Sequence, residues 1–407
     1  MNKKNILVIT YWSYRDALIQ TYTLPYLRLI LKALPKESRI VLLTLEKQID
    51  RDIERQNQKI ERELYNEGID WITATYRPFG LRGLWMWIVL FFRLLKIILV
   101  KKIVFIHCWA TPAGAIGYTL SVITRRKLIL DSYEPHAEAM TENGTWTKNS
   151  IAFNVLFYLE KLQSRKAHFI ISATAGMKGY AQEKYTINLT KFAVKPACVD
   201  LDLFSEKSIK DADLLKELDL EQKIVCVYAG KFGGIYLAQE VFDFFKIAHQ
   251  HFGNDFRVLL LTNQTKEEIE SYCKKSNLDS SIITMRFIAH QLIPKYIGLG
   301  DFAITPVKPV PTKRFCTPIK DGEYWAMGLP IIIPANISDD SEIIEKHKAG
   351  AVLHELNDIA YLDAVKTIEI ILSEPRIERY NRIRALAETY RSFAVAEQVY
   401  KNLYGHL

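Results

Sequence analysis

Cysteine is scarce in this chain and poorly spaced for crosslinking. The five present (Cys108, Cys198, Cys226, Cys273 and Cys316) are odd in number, scattered, and never in a Cys-x-x-Cys pair. That argues against a disulfide framework or a cysteine-based zinc and for a reducing compartment. There is no internal repeat or low-complexity tract, which sets aside solenoids and disordered chains. No apolar leader precedes the first strand-like run: Asn2, Lys3 and Lys4 pass directly into Ile6-Leu7-Val8-Ile9, so no secretory signal is expected and a cytosolic location is. Acidic residues are missing altogether between Asp70 and Asp131, a stretch that holds nine cations: Arg77, Arg82, Arg93, Lys96, Lys101, Lys102, Arg125, Arg126 and Lys127. The net charge of +8 is therefore local, and the rest of the chain is close to neutral.

What is present is ordinary globular material: 407 residues, 49% hydrophobic and 25% charged, enough for two domains with separate cores. Inside the acid-free stretch runs Leu84–Val100, seventeen residues that are apolar except for Arg93 and Lys96. That is the lower limit for a bilayer span, and two internal cations weigh against one. The two cations stand three apart on one helical face and leave a broad apolar face. Trp85, Trp87, Phe91 and Phe92, with Arg93 and Lys96, suit a helix lying in the interface of an anionic membrane, each cation adding about 1 kcal/mol of attraction. A core helix with two snorkelling cations is the other reading, and periodicity alone does not separate them. Nucleic acid fits poorly, because the cations are not interleaved with a recognisable binding fold.

Strands and helices alternate along both halves, the pattern of parallel sheets covered on both faces. Strands are expected at 5–10, 40–45, 69–73, 103–107, 128–131, 169–172 and 192–196, and again at 224–229, 257–262, 282–287, 302–305 and 331–334. Helices are expected at 17–34, 50–68, 113–123, 149–167 and 174–183, with a last one at 376–404.

The most informative segment is Cys316–Ile333. Thr317 is a good helix N-cap, Pro318 suits the first helical position, Gly328 closes the helix and Pro330 leads into an apolar strand. The free N–H groups at the start, beginning at Ile319 and helped by Lys320, make a seat for a diphosphate. Glu323, about one and a half turns further in, lies at a depth suited to the sugar hydroxyls beyond that phosphate. A capped helix before a buried strand is the plain structural reading of the same residues. Upstream, Tyr228-Ala229-Gly230-Lys231-Phe232-Gly233-Gly234 places a glycine turn and a cation directly after a strand, where backbone can approach a phosphate closely.

These segments resemble the donor-binding signature of GT-B glycosyltransferases of family 4. Thr317-Pro318-Ile319-Lys320 with Glu323-Tyr324 is similar to a subset of that family, and Glu323 matches the glutamate that holds the nucleotide ribose there. The glutamate expected for the donor sugar falls at Phe315. Lys231 stands where the family has a diphosphate-binding arginine, and Tyr236 replaces its second cation. Ala289 and His290 lie in a loop like the one that brackets the base. Asp131-Ser132-Tyr133-Glu134-Pro135-His136 resembles the segment that ends a first-domain strand at the active site, making Tyr133, Glu134 and His136 candidates there. His107 is a further candidate, and Ser13, Tyr14 and Arg15 are candidates for the acceptor. Pro196–Phe204 resembles the segment that ends the first domain.

The resemblance implies an α/β GT-B chain: two doubly wound Rossmann-like domains facing a cleft, residues 1–198 for the acceptor and membrane and 199–380 for the nucleotide sugar, with 381–407 crossing back to the first. It implies sugar transfer from a nucleoside diphosphate sugar, with retention and no metal or other cofactor; taken with the apolar, basic helix, the expected acceptor is a membrane-associated, lipid-linked glycan. No Asp-x-Asp triplet is placed to hold a divalent ion against the diphosphate. The expected location is the cytoplasm, peripherally on the inner face of the membrane. Rival readings are a catalytically silent nucleotide-binding subunit, favoured by Phe315, and a nucleotide-sugar epimerase or a phosphorylase of similar architecture.

Overall fold

The computed structural model describes residues 3–16, 18–46, 51–77 and 80–405, with backbone alone for 51–56. The helix starts expected at Ala17 and Asp50 fall outside the described residues. The chain forms two compact units, Met1–Pro196 with Ala394–Leu407, and Ala197–Phe393.

The first unit runs β1 (Asn5–Ile9), α1 (Leu24–Ala33), β2 (Ile40–Glu46), α2 (Arg51–Asn66), β3 (Ile69–Thr75), α3 (Leu81–Val100), β4 (Ile103–Trp109), α4 (Ala110–Thr124), β5 (Lys127–Tyr133), α5 (His136–Glu142), α6 (Ile151–Lys166), β6 (Phe169–Ser172), α7 (Met177–Tyr185) and β7 (Phe192–Val194). A π-helical turn at Ile19–Thr23 leads into α1. The seven strands are parallel in the order β3-β2-β1-β4-β5-β6-β7. Every residue of β2 is buried, as the unbroken Ile-Val-Leu-Leu run of a sheet covered on both faces requires.

The second unit runs α8 (Ala212–Glu217), β8 (Ile224–Ala229), α9 (Gln239–Phe252), β9 (Phe256–Leu261), α10 (Lys266–Ser276), β10 (Ile283–Arg286), α11 (Ile293–Ile297), β11 (Phe302–Ile304), α12 (Ile319–Ala326), β12 (Ile331–Pro334), α13 (Asp340–His347), β13 (Gly350–Leu353), α14 (Asp358–Leu372) and α15 (Arg376–Tyr390). Its six parallel strands are ordered β10-β9-β8-β11-β12-β13. In each sheet the order reverses once, between β1 and β4 and between β8 and β11. Ligands of such sheets bind outside the carboxyl ends of the strands at that switch point.

The single closing helix expected over 376–404 is two helices, α15 and α16 (Phe393–Tyr404). The break falls where Arg391 C=O accepts from Val199 N–H at 2.8 Å and Ser392 bridges Val199, drawing the backbone out of helical pairing. Only Ala394–Leu407 joins the first unit, rather than 381–407, and the earlier crossing lies at Pro196/Ala197, two residues before the expected boundary.

α3 is not a core helix. Gly83, Leu90, Leu94 and Ile98 face inward, while Leu81, Trp85, Val89, Phe92, Leu99 and Val100 are more than half exposed. The helical repeat puts Trp87 and Phe91 near the inward stripe, where they are half-buried; Arg93 and Lys96 are exposed. At twenty residues the helix is long and apolar enough to cross a membrane.

Candidate functional site

The switch point of the second unit brings the glycine turn and the first turn of α12 together. Gly230 has φ of +155°, a conformation a side chain disfavours, and a Cβ there would lie 2.4 Å from the Lys320 ammonium and 2.7 Å from Tyr228 Oη. Glycine is needed twice over, for backbone and for space. The ammonium is held over the rings of Tyr236 (4.4 Å) and Tyr228 (4.9 Å), favourable cation–π geometry. Tyr228 Oη donates to Lys231 C=O at 2.6 Å, and Ala229 N–H donates to Tyr324 Oη at 3.0 Å, fastening the end of β8 to α12. Gly233 and Gly234 (φ +82° and +62°) then turn the chain through open space, and Lys231 is exposed beside them.

Glu323 is only 9% exposed, yet its carboxyl has no hydrogen-bond partner among the described residues. Burial pushes its pKa up to about 7, against the pull of Lys320. Burial likewise pushes Lys320 down to about 8, against the pull of Glu323. A nearly buried acid with no protein donor and a lysine of lowered pKa beside it form an open polar site. Hydroxyl donors for Glu323 and an anion for Lys320 would complete it.

The helix cap differs from expectation. Pro318, with extended ψ of 120°, occupies the N-cap, and α12 starts at Ile319 without a side-chain cap. The Thr317 hydroxyl instead receives a 3.4 Å bond from Ser338. The leading N–H groups of α12 are therefore not taken by a threonine cap. Ala289 and His290 are exposed on the loop after β10, the edge strand two places from β8. Among the described residues no group of three or more His, Cys, Asp or Glu side chains could hold a metal ion.

In the first unit the candidates separate. Tyr133 is 1% exposed, its hydroxyl bonded to Ser164, so it is a core residue and not a catalytic one. His107 is fully buried, joined to Asp131 (3.2 Å) and Tyr404 (2.7 Å) and stacked on Trp109, which removes it from any open surface. Glu134 and His136 are partly exposed and pair at 3.1 Å where β5 passes into α5. The Ser13 hydroxyl and Tyr14 N–H both bind the Glu46 carboxylate, and the Tyr14 ring packs on Trp71 at 4.5 Å. Those two residues fix the loop after β1, while Arg15 is exposed.

Sequence reasoning missed two buried clusters. One is Asp131 with His107, Lys195 and Tyr400. Burial would raise its carboxyl, but Lys195 (3.3 Å), His107 and the Tyr400 hydroxyl (2.7 Å) hold it at about 2. The Lys195 ammonium lies 3.8 Å from the Tyr26 ring. The other is Asp321, Asp340 and Arg391, described below. Neither has a local signature, since the partners stand far apart in sequence.

No family model matches the sequence, and no curated protein does. Solved structures do. Sucrose-phosphate synthase from Thermosynechococcus elongatus is similar with a TM-score of 0.71 at 15% identity, over 100% of both chains. HepE from Anabaena, in complex with UDP, is similar at 0.71 and 14% identity, over 99% of this chain and 100% of its own. WaaG, a glycosyltransferase involved in lipopolysaccharide biosynthesis, is similar at 0.68 and 11% identity, over 98% and 100%. At such identities the likeness carries the fold: this chain has the two-domain α/β GT-B fold of these neighbours.

Proposed function

We propose that the protein is a glycosyltransferase that moves a sugar from a nucleoside diphosphate sugar to a membrane-associated acceptor, a lipid-linked glycan, with retention of configuration. The observation that carries this is Glu323, a nearly buried carboxyl without donors, beside a lysine pressed against a glycine turn at the switch point. In this reading the ribose hydroxyls donate to Glu323, and the diphosphate lies against Lys320, Lys231 and the first N–H groups of α12. Negative charge growing on the leaving diphosphate is offset by those cations and the helix dipole without a metal ion. The leaving phosphate can then take the proton of the attacking hydroxyl. Glu134 and His136, paired on the first unit, are the remaining side-chain candidates for proton handling there, and Arg15 is the candidate for an acceptor phosphate.

The exposed stripe of α3 supports attachment to the cytoplasmic face of a membrane. Trp85 and Phe92 would enter the interface, and the cations of the acid-free stretch would meet anionic headgroups. Flotation with anionic liposomes tests this: Trp85→Ser/Phe92→Ser should reduce binding severalfold, and undiminished binding removes α3 as the contact.

Retention and the donor class rest on resemblance, so the direct test is chemical. The purified chain should be stabilised by one or more of UDP, GDP and ADP, and should slowly hydrolyse the matching sugar nucleotide. Glu323→Ala should lose both. Stabilisation without any hydrolysis or transfer favours the silent-subunit reading, for which Phe315, half-exposed at the end of a 3-10 turn, is the specific support. Release of an epimerised sugar would favour an epimerase.

A further inference from the structure

The two places where the chain passes between the units, Pro196/Ala197 and Phe393/Ala394, are flanked by residues fastened to each other and to α12. Val199 N–H donates to Arg391 C=O at 2.8 Å, Val199 and Ser392 form a parallel bridge, and Arg391 Nη1 donates to Ala197 C=O at 3.2 Å. Gly322, the residue before Glu323, lies directly beneath both segments: a Cβ there would come within 2.9 Å of Val199 Cγ1 and 3.1 Å of Arg391 Cγ.

The Arg391 side chain is fully buried, lies over the Trp325 ring and pairs with Asp340 at the start of α13. Asp340 in turn faces Asp321, the residue between Lys320 and Gly322, and Asp321 accepts from the Thr305 hydroxyl at the end of β11. Two buried acids share one cation. Burial first, and Asp340 second, push Asp321 well above the carboxylate range. As a carboxylate, its second oxygen would have no donor; as an acid, it donates to Asp340. A neutral Asp321 also leaves the positive end of α12 unopposed, whereas an ionised one would compete with a bound anion. A buried ion pair is weak as a stabilising device, since apolar replacements often serve as well. Its placement here, between the nucleotide-facing turn and the crossings, has a positional logic instead.

We infer that Arg391, Asp340 and Asp321 are positioning residues that tie the first turn of α12, with Lys320 and Glu323, to the two chain crossings, so that a nucleoside diphosphate seated on α12 and the backbone pairing of Val199 with Arg391 stabilise one another. This rests on the proposed nucleotide site. Coupling of this kind is reciprocal.

The test is residue-level hydrogen exchange on the full chain, with and without whichever of UDP, GDP and ADP gives the largest thermal shift. The Val199 amide should slow about fivefold or more beyond any slowing of the β9 amides, which report overall stabilisation alone. Asp340→Asn should weaken nucleotide binding about tenfold and abolish the extra protection at Val199. Asp321→Asn, which keeps an acceptor for Thr305 and a donor for Asp340, should retain both. A purely structural role would lower Tm in Asp340→Asn while leaving affinity unchanged. Should Asp340→Asn fail to fold, Gly322→Ala presses on the same contacts, and the parent measurement still decides. Val199 slowing no more than β9 in the nucleotide-bound parent overturns the inference and leaves the site intact. A parent that binds no nucleotide overturns the proposed function, and the inference with it.

Discussion

The carboxyl ends of the two sheets are both crowded with polar groups, but in opposite states. In the first unit Asp131 is met by Lys195, His107 and Tyr400, and His107 is met again by Tyr404. That network is closed, and its carboxyl is held at about 2. In the second unit Glu323 has no donor among the described residues and its carboxyl is held near 7. Opposite pKa shifts in two acids that are both mostly buried mark the first as structural and support the proposed ligand site at the second. Burial by itself says little about function; what matters is whether the buried group is satisfied.

The largest expected effect lies in the closed network. Asp131→Ala leaves Lys195 buried without its counter-charge and should cost about 3–5 kcal/mol in urea unfolding. An unchanged midpoint would show the network to be dispensable. The Asp131 contribution has a definite pH sign. Its folded pKa is depressed, so the stability is present above about pH 4 and is lost as pH falls toward 2.

Glu323→Gln should act in the other direction on stability. Its folded pKa is raised, so the parent loses stability as pH rises from about 4.5 to about 7, and the variant lacks that part of the slope. The same variant should lose about 10- to 100-fold in nucleoside diphosphate affinity, the range for hydrogen bonds to a charged group. A variant no more stable than the parent at pH 8, binding nucleotide equally well, would place Glu323 with the structural acids.

A smaller effect concerns Lys320, whose pKa burial brings down to about 8. A diphosphate favours the charged form, so affinity should fall as pH rises above about 8, by at most tenfold per unit for a single proton. Lys320→Gln should bind more weakly and flatten that dependence, as isothermal titration at pH 7, 8 and 9 would show. A parallel slope in the variant would assign the proton elsewhere.

Much of this contrast was legible in the sequence on one side only. The β8 turn and α12 are punctuated by Gly230, Pro318, Gly328 and Pro330, residues whose backbone constraints are local. Most strands appeared as unbroken apolar runs. β13 did not, because Gly-Ala-Val-Leu is only four residues long and starts on a glycine. The break between α15 and α16 carries no glycine or proline and depends on Val199, some 190 positions earlier. Tyr133 and His107 were misplaced for a related reason. A polar residue near the end of a strand can face solvent or core, and the partner that decides for His107 is Tyr404, 297 residues away.

The account turns on the open site of the second unit, and a crystal structure with the nucleoside diphosphate that most raises Tm tests it most directly. The account predicts diphosphate oxygens on Lys320 Nζ and the leading N–H groups of α12, with ribose hydroxyls on the Glu323 carboxyl. A bound nucleotide elsewhere, with Glu323 still lacking a donor, would contradict it.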